Sequence, residues 1–220
     1  MANRIAQVVF ITFVAVAVTG CSASPPTRFY TLDPTATTGG EAALSVAVAV
    51  GPVSIPASVD RPQFVVQAAP NRVALDEFNQ WAAPLNESVA RIVAENLVVL
   101  LGTPRVATAS LANFDPAYQV TIDVQRFDSV KGEAATIEAV WVVRASKGGA
   151  VRSGRTAARE AVEGDSFEGL AAAHSRALAK LSGEIAAAIR IAVEEDAKDQ
   201  AARNSPPTTR GKAKSSGSKK

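Results

Sequence analysis

The first 21 residues decide where everything after them must fold. A basic start, Met1-Ala2-Asn3-Arg4, leads into a mostly apolar run from Ile5 to Val18. As a helix that run rises about 21 Å, short of the roughly 30 Å hydrocarbon core of a bilayer, so it reads as the apolar region of an export signal, not a membrane span. It closes on Val18-Thr19-Gly20-Cys21, an aliphatic residue, two small ones and the only cysteine of the chain. No intrachain disulfide can therefore form in the oxidising compartment that an export signal implies. The folded part must be held by its core and its hydrogen bonds.

That closing string resembles the lipobox of bacterial lipoproteins. The resemblance implies cleavage before Cys21, a diacylglycerol on its thiol and an N-acyl chain on the new amino terminus, with no other cofactor expected. Two or more acyl chains anchor a protein stably, at about 0.8 kcal/mol per buried CH₂. Position 22 is Ser, where Asp often signals retention at the inner membrane, so the expected location is the periplasmic face of the outer membrane. The chain divides into a signal peptide (1–20), a lipidated tether (21–27), a domain (28–195) and a disordered basic tail (196–220). Extended, Ser22 to Thr27 reach about 20 Å, and Pro25-Pro26 stiffens them.

Charge narrows the function classes. The pI of about 8.8 belongs to the tail, where seven basic residues stand against two acidic ones, whereas residues 22–195 carry a net charge of −4. A nucleic-acid binder needs a basic folded face, and this domain lacks one. The tail's spaced Lys and Arg suit anionic headgroups, another acidic envelope polymer, or plain solubilisation.

Along the domain the hydrophobic period changes twice. Arg28 to Leu32 is a short β-prone run, and from Leu44 to Val50 apolar residues alternate with small ones, predicting a central strand that Gly51-Pro52 and Pro56 end. Gln63–Gln67 and Arg72–Asp76 predict a hairpin about Ala68-Ala69-Pro70-Asn71. Leu85, Val89, Ile92, Val93, Leu97 and Leu100 then fall on one helical face, with Gly102 as C-cap. Tyr118–Gln125, Thr136–Ala145 and Val151–Ala161 read as an antiparallel meander turning at Gly148-Gly149. Asp165 and Glu168 suggest a capping box for a long Ala-rich helix burying Leu178, Leu181, Ile185 and Ile189. The expected fold is α/β or α+β: a single mixed sheet with two main helices, including a C-terminal meander followed by the long helix.

Several of these stretches carry a family resemblance. Pro25-Pro26-Thr27-Arg28-Phe29-Tyr30-Thr31-Leu32, Gly51-Pro52-Val53, Asp60-Arg61-Pro62-Gln63, the run from Asn71-Arg72-Val73 through Glu77-Phe78 to Trp81-Ala82, and Ala94-Glu95-Asn96-Leu97 are together similar to the PqiC-type ABC transport auxiliary lipoproteins. That resemblance implies a non-enzymatic component of an intermembrane lipid transport system. Its expected partner is an MCE-domain protein forming a conduit across the periplasm, and a homo-oligomeric ring would suit a symmetric conduit. A module that carries a lipid in its own pocket is the alternative. The basic tail is not part of the family pattern.

No catalytic or metal-binding constellation is expected. His174 is the only histidine and has no ligand partners at suitable spacing, so a structural or surface role is expected of it. No Gly-x-Ser-x-Gly elbow or phosphate loop is present. The candidate partner-binding residues are Asp60, Arg61, Gln63, Asn71, Arg72 and Trp81, in or beside connections, where binding groups tend to sit. Each also has a structural reading: Arg61 pairing with Asp60 or Asp76, Trp81 closing the core, Asn71 making a turn.

Overall fold

The computed structural model describes residues 25–108 and 113–204. Cys21, the signal peptide and residues 205–220 of the basic tail lie outside them. The elements in chain order are β1 (Arg28–Tyr30), β2 (Val48–Ser54), β3 (Gln63–Ala69), β4 (Arg72–Trp81), α1 (Leu85–Leu101), β5 (Val106–Thr108), β6 (Tyr118–Val130), β7 (Ala134–Ala145), β8 (Val151–Ala161) and α2 (Phe167–Asn204).

The fold is α+β, and the strands form two sheets where one was expected. Five strands run β5-β2-β6-β7-β8, while β1, β4 and β3 form a separate sheet in the order β1-β4-β3. Strand β2 pairs in parallel with both β5 and β6, and β6, β7 and β8 form the antiparallel meander. Alternation along β6 and β7 buries Val120, Ile122, Val124, Ile137, Trp141 and Val143 against the helices. The other face is polar. There Glu138 accepts hydrogen bonds from Arg155 at 2.9 Å and Arg126 at 3.1 Å, and these hold its carboxyl below the usual carboxylate range.

Helix α1 buries Leu85, Val89, Ile92, Val93 and Leu97, and ends at Gly102 in the left-handed region at φ 65°. A Cβ there would also press on Ala43. Both helices lie on one face of the large sheet, α1 over β2 and β5 and α2 over β7 and β8. Between them Asn96 donates to Ser182 Oγ at 3.3 Å. The connection from β1 to β2 crosses the helices and is clamped to them: the Asp33 amide donates to Ser175 Oγ, the Ala36 amide to Asn96, and Arg190 to the Ala42 and Leu100 carbonyls.

Four expectations need correction. The strand anticipated from Leu44 begins at Val48 and runs through the cis Gly51-Pro52 peptide to Ser54, absorbing the proline in a register shift between Val50 and Val53. The cap of α2 is Ser166, whose Oγ accepts from the Gly169 amide at 3.0 Å, and Asp165 faces Lys131 instead. Strand β4 continues five residues past Asp76, carrying Trp81 into the core. The long helix does not stop at 195: it reaches Asn204, because Asp196 accepts from the Tyr118 hydroxyl at 2.7 Å and the Ala150 amide at 2.9 Å. Burial and that bond to Asp196 raise the Tyr118 pKa.

An aromatic cluster joins the small sheet to the rest. Phe64 of β3 stacks on Trp81 of β4 at 4.1 Å and meets Tyr30 and Phe167 edge-on at 5.6 and 5.1 Å. Trp81 in turn meets Phe127 of β6 at 6.0 Å. Such pairs add about 0.5–1.5 kcal/mol each beyond the area they bury. Few as they are, the aromatics concentrate where two sheets must be held together.

Candidate docking surface

The structure separates the six candidate residues into two groups at opposite ends of β4. Asp60 and Arg61 lie in the β2–β3 connection, exposed to solvent. That connection is shaped by its own backbone: the Val59 and Asp60 amides both donate to the Pro56 carbonyl, and the Arg61 amide donates to Val59. The Trp81 amide donates to the Pro62 carbonyl at 2.7 Å, which ties this loop to the end of β4. The result is a hollow of about 300 Å³ lined by Asp60, Arg61, Pro62 and Trp81 through Leu85.

Trp81 is the floor of this hollow. It is 6% exposed, with its ring committed to Phe64 and Phe127. Neither Asp60 nor Arg61 forms an ion pair among the described residues. Asp76, the alternative partner for Arg61, instead accepts from the Phe78 and Asn79 amides and the Asn79 side chain at 2.8–3.0 Å. The Arg61 guanidinium is thus left at the rim, beside an apolar floor. Gln63 stands just beyond, donating to Glu77 at 3.2 Å.

Asn71 and Arg72 form the far group. Asn71 takes the left-handed conformation at φ 60°, which Asn tolerates better than most residues, and so makes the turn at the tip of the β3–β4 hairpin. Arg72 follows it, exposed. The structure does not bring these two near Trp81: β4 extends over the intervening residues, on the order of 30 Å if regular.

Sequence reasoning missed a neighbouring groove of about 970 Å³, lined by Val50, Gly51, Pro52, Val53, Ala83 and the first turns of α1. Ala83 belongs to both concavities, so they flank the short β4–α1 connection. Its only sequence signal is Ala82-Ala83-Pro84, small residues before a helix. His174 is fully buried, stacked on Phe127 at 3.9 Å with its Nε2 2.8 Å from Ser129 Oγ. Burial lowers its pKa to about 3, so the ring is neutral. Among the described residues no helix is long and apolar enough to cross a membrane.

The family model described as the ABC-type transport auxiliary lipoprotein component matches residues 30–186. The chain belongs to that family. It is the family of the PqiC-type lipoproteins that the sequence motifs resemble. As an ABC-type transport auxiliary lipoprotein, the chain is a membrane-associated component of a transport system and has a transporter as partner. The fold is shared with a Xanthomonas campestris protein of the DUF330 family, at a TM-score of 0.61 and 20% identity, covering 80% of this chain and 100% of that one. A second crystal structure, of an uncharacterised protein, matches at a TM-score of 0.61 and 17% identity over 75% of this chain and 99% of the other. No curated protein matches the sequence.

Proposed function

We propose that this auxiliary lipoprotein is a docking component of an intermembrane lipid transport system. Lipid on Cys21 holds it at the periplasmic face of the outer membrane, and the hollow rimmed by Asp60 and Arg61 receives an MCE-domain conduit. The observation that carries this reading is membership of a transport auxiliary lipoprotein family. The surface chemistry agrees with it: an arginine without an ion pair among the described residues, above a rigid aromatic floor, is the kind of group from which interfaces draw binding energy. The work is positioning; it requires no catalytic residue, metal or cofactor. Self-association into a ring would multiply weak contacts with a symmetric conduit.

A photo-crosslinker placed at Arg61 or Ala83 tests the surface. The reading expects adducts with the MCE-domain protein, and Arg61→Glu should lower recovery of that protein with the lipoprotein at least several-fold. Normal recovery, with no adducts, would overturn it.

The groove beside Pro52 favours one other reading, a module that accepts lipid itself, since its lining is largely apolar. Native mass spectrometry of the protein from membranes would then find phospholipid bound, lost on Ala83→Trp. Lipid-free protein would exclude it.

A further inference from the structure

Four large apolar side chains on β1 and β4 stay in solvent: Phe29 at 64% exposure, Val73 at 55%, Leu75 at 43% and Phe78 at 41%. Their positions follow from the strands. Tyr30 points into the core, so its neighbour Phe29 points out. Asn79 accepts the Tyr30 hydroxyl at 2.7 Å, so Phe78 before it points out as well. Val73 and Leu75 share a face with Gln80 and Phe29 because β4 shifts register between Asp76 and Gln80: Leu75 stands opposite Val65 and Gln80 opposite Gln63, two residues apart on β3. Single exposed apolar residues need no explanation, but four on two paired strands do.

The direction of the chain says what covers them. β1 pairs in parallel with the end of β4, Arg28 opposite Asn79 and Tyr30 opposite Trp81. Residues 25–27 therefore run back along β4 toward the hairpin tip, and Pro25 and Pro26 stand beside Asp76 and Phe78, around a cavity of about 210 Å³. Six residues stand between Cys21 and Arg28, as many as stand between Arg72 and Asn79, the strand partner of Arg28. From Cys21 to Pro25 a fully extended chain reaches at most about 14 Å. A lipid on Cys21 thus brings the bilayer within that distance of the patch.

The local charges suit a lipid surface. Asp76 is turned inward onto the Phe78 and Asn79 amides, and Glu77 is engaged by Gln63. Arg72 stands exposed at the hairpin tip, where a long cationic side chain can reach phosphates while its stem lies against apolar groups.

We propose that the exposed apolar side chains of β1 and the β3–β4 hairpin form a second membrane contact, entering the headgroup region of the bilayer that holds the Cys21 lipid. The proposal rests on the reading of Cys21 as the lipidated residue. It also fixes the orientation of the domain: the hairpin tip lies on the phospholipid, and the Asp60–Arg61 hollow, at the other end of β4, faces away from it.

The single thiol makes the test direct. The mature chain beginning at Cys21 is coupled to a maleimide bearing one myristoyl-length chain, which by itself holds a protein only marginally. It is then floated with vesicles of phosphatidylethanolamine and phosphatidylglycerol. Leu75→Ser with Phe78→Ser, both at exposed positions, should lower vesicle partitioning about tenfold or more, with an unchanged circular dichroism spectrum and melting temperature. Phe29→Ser alone should give a smaller loss. Equal partitioning of variant and parent would overturn the proposal. So would unchanged partitioning accompanied by loss of self-association in sedimentation, which would assign the face to a second copy of the chain. Intact mass of the protein from cell membranes reports on Cys21 separately. Missing acyl mass would overturn the anchor and the orientation built on it, whereas absence of a flotation difference overturns the patch alone.

Discussion

His174 is the residue whose behaviour the structure changes most. The sequence leaves it between a surface and a structural role, because a lone histidine in an alanine-rich helix carries no signal of which face it occupies. The fold puts it under the small sheet, between Phe127 and Trp81, with Ser129 as its hydrogen-bonding partner among the described residues. Its pKa falls from 6.5 to about 3 because burial penalises the charged ring. The unfolded chain therefore binds a proton that the folded chain refuses. The resulting stability is complete above about pH 6.5 and is lost as pH falls toward 3, at up to about 1.4 kcal/mol per pH unit from this one group. Urea unfolding between pH 7 and 5, where most carboxylates stay ionised, should show this slope, and His174→Gln should flatten it. An equal slope in both proteins would mean that the ring is accessible to water in the folded state.

At the scale of elements, what the sequence reveals is what periodicity encodes. Helix α1, its Gly102 terminus and the β6–β7–β8 meander are legible because each is local: a 3.6 or 2 period bounded by Gly. The second sheet is not legible, since its defining pair joins β1 to β4 across some fifty residues, and nothing in Arg28-Phe29-Tyr30 names that partner. The same limit hid the aromatic cluster, whose members come from five elements. It also hid the last turns of α2, where the hydrophobic stripe fades and a carboxylate takes over. Asp196 fastens that end through Tyr118 and the Ala150 amide, so Asp196→Ala should cost about 1–3 kcal/mol locally. Amide hydrogen exchange over residues 193–204 should then quicken about tenfold or more, while α1 keeps its protection. Unchanged exchange would show that the helix end is held by something other than Asp196. The candidate site was half legible. Asp60, Arg61 and Trp81 do share one hollow, but Asn71 and Arg72 belong to the opposite end of β4, because strand length sets their separation and motif order does not.

For the whole molecule, β4 is an axis with an exposed apolar hairpin at one end and an arginine-rimmed hollow at the other. Pro25 and Pro26 lie beside the hairpin, so a lipid on Cys21 would set the domain down on that end and present the other to an incoming partner. Both helices lie on one face of the large sheet, and the polar ion-paired face on its far side gives the scaffold a solvated back. In the proposed function, attachment at Cys21 is a condition of activity, since an unattached domain would keep its fold and lose its place. The most direct measurement is lipid transport or envelope barrier function in cells whose only copy carries Cys21→Ser, at matched protein abundance. Such cells should hold a folded protein absent from the outer membrane and show a defect as deep as deletion; wild-type function from that unlipidated chain would mean that the anchor is dispensable.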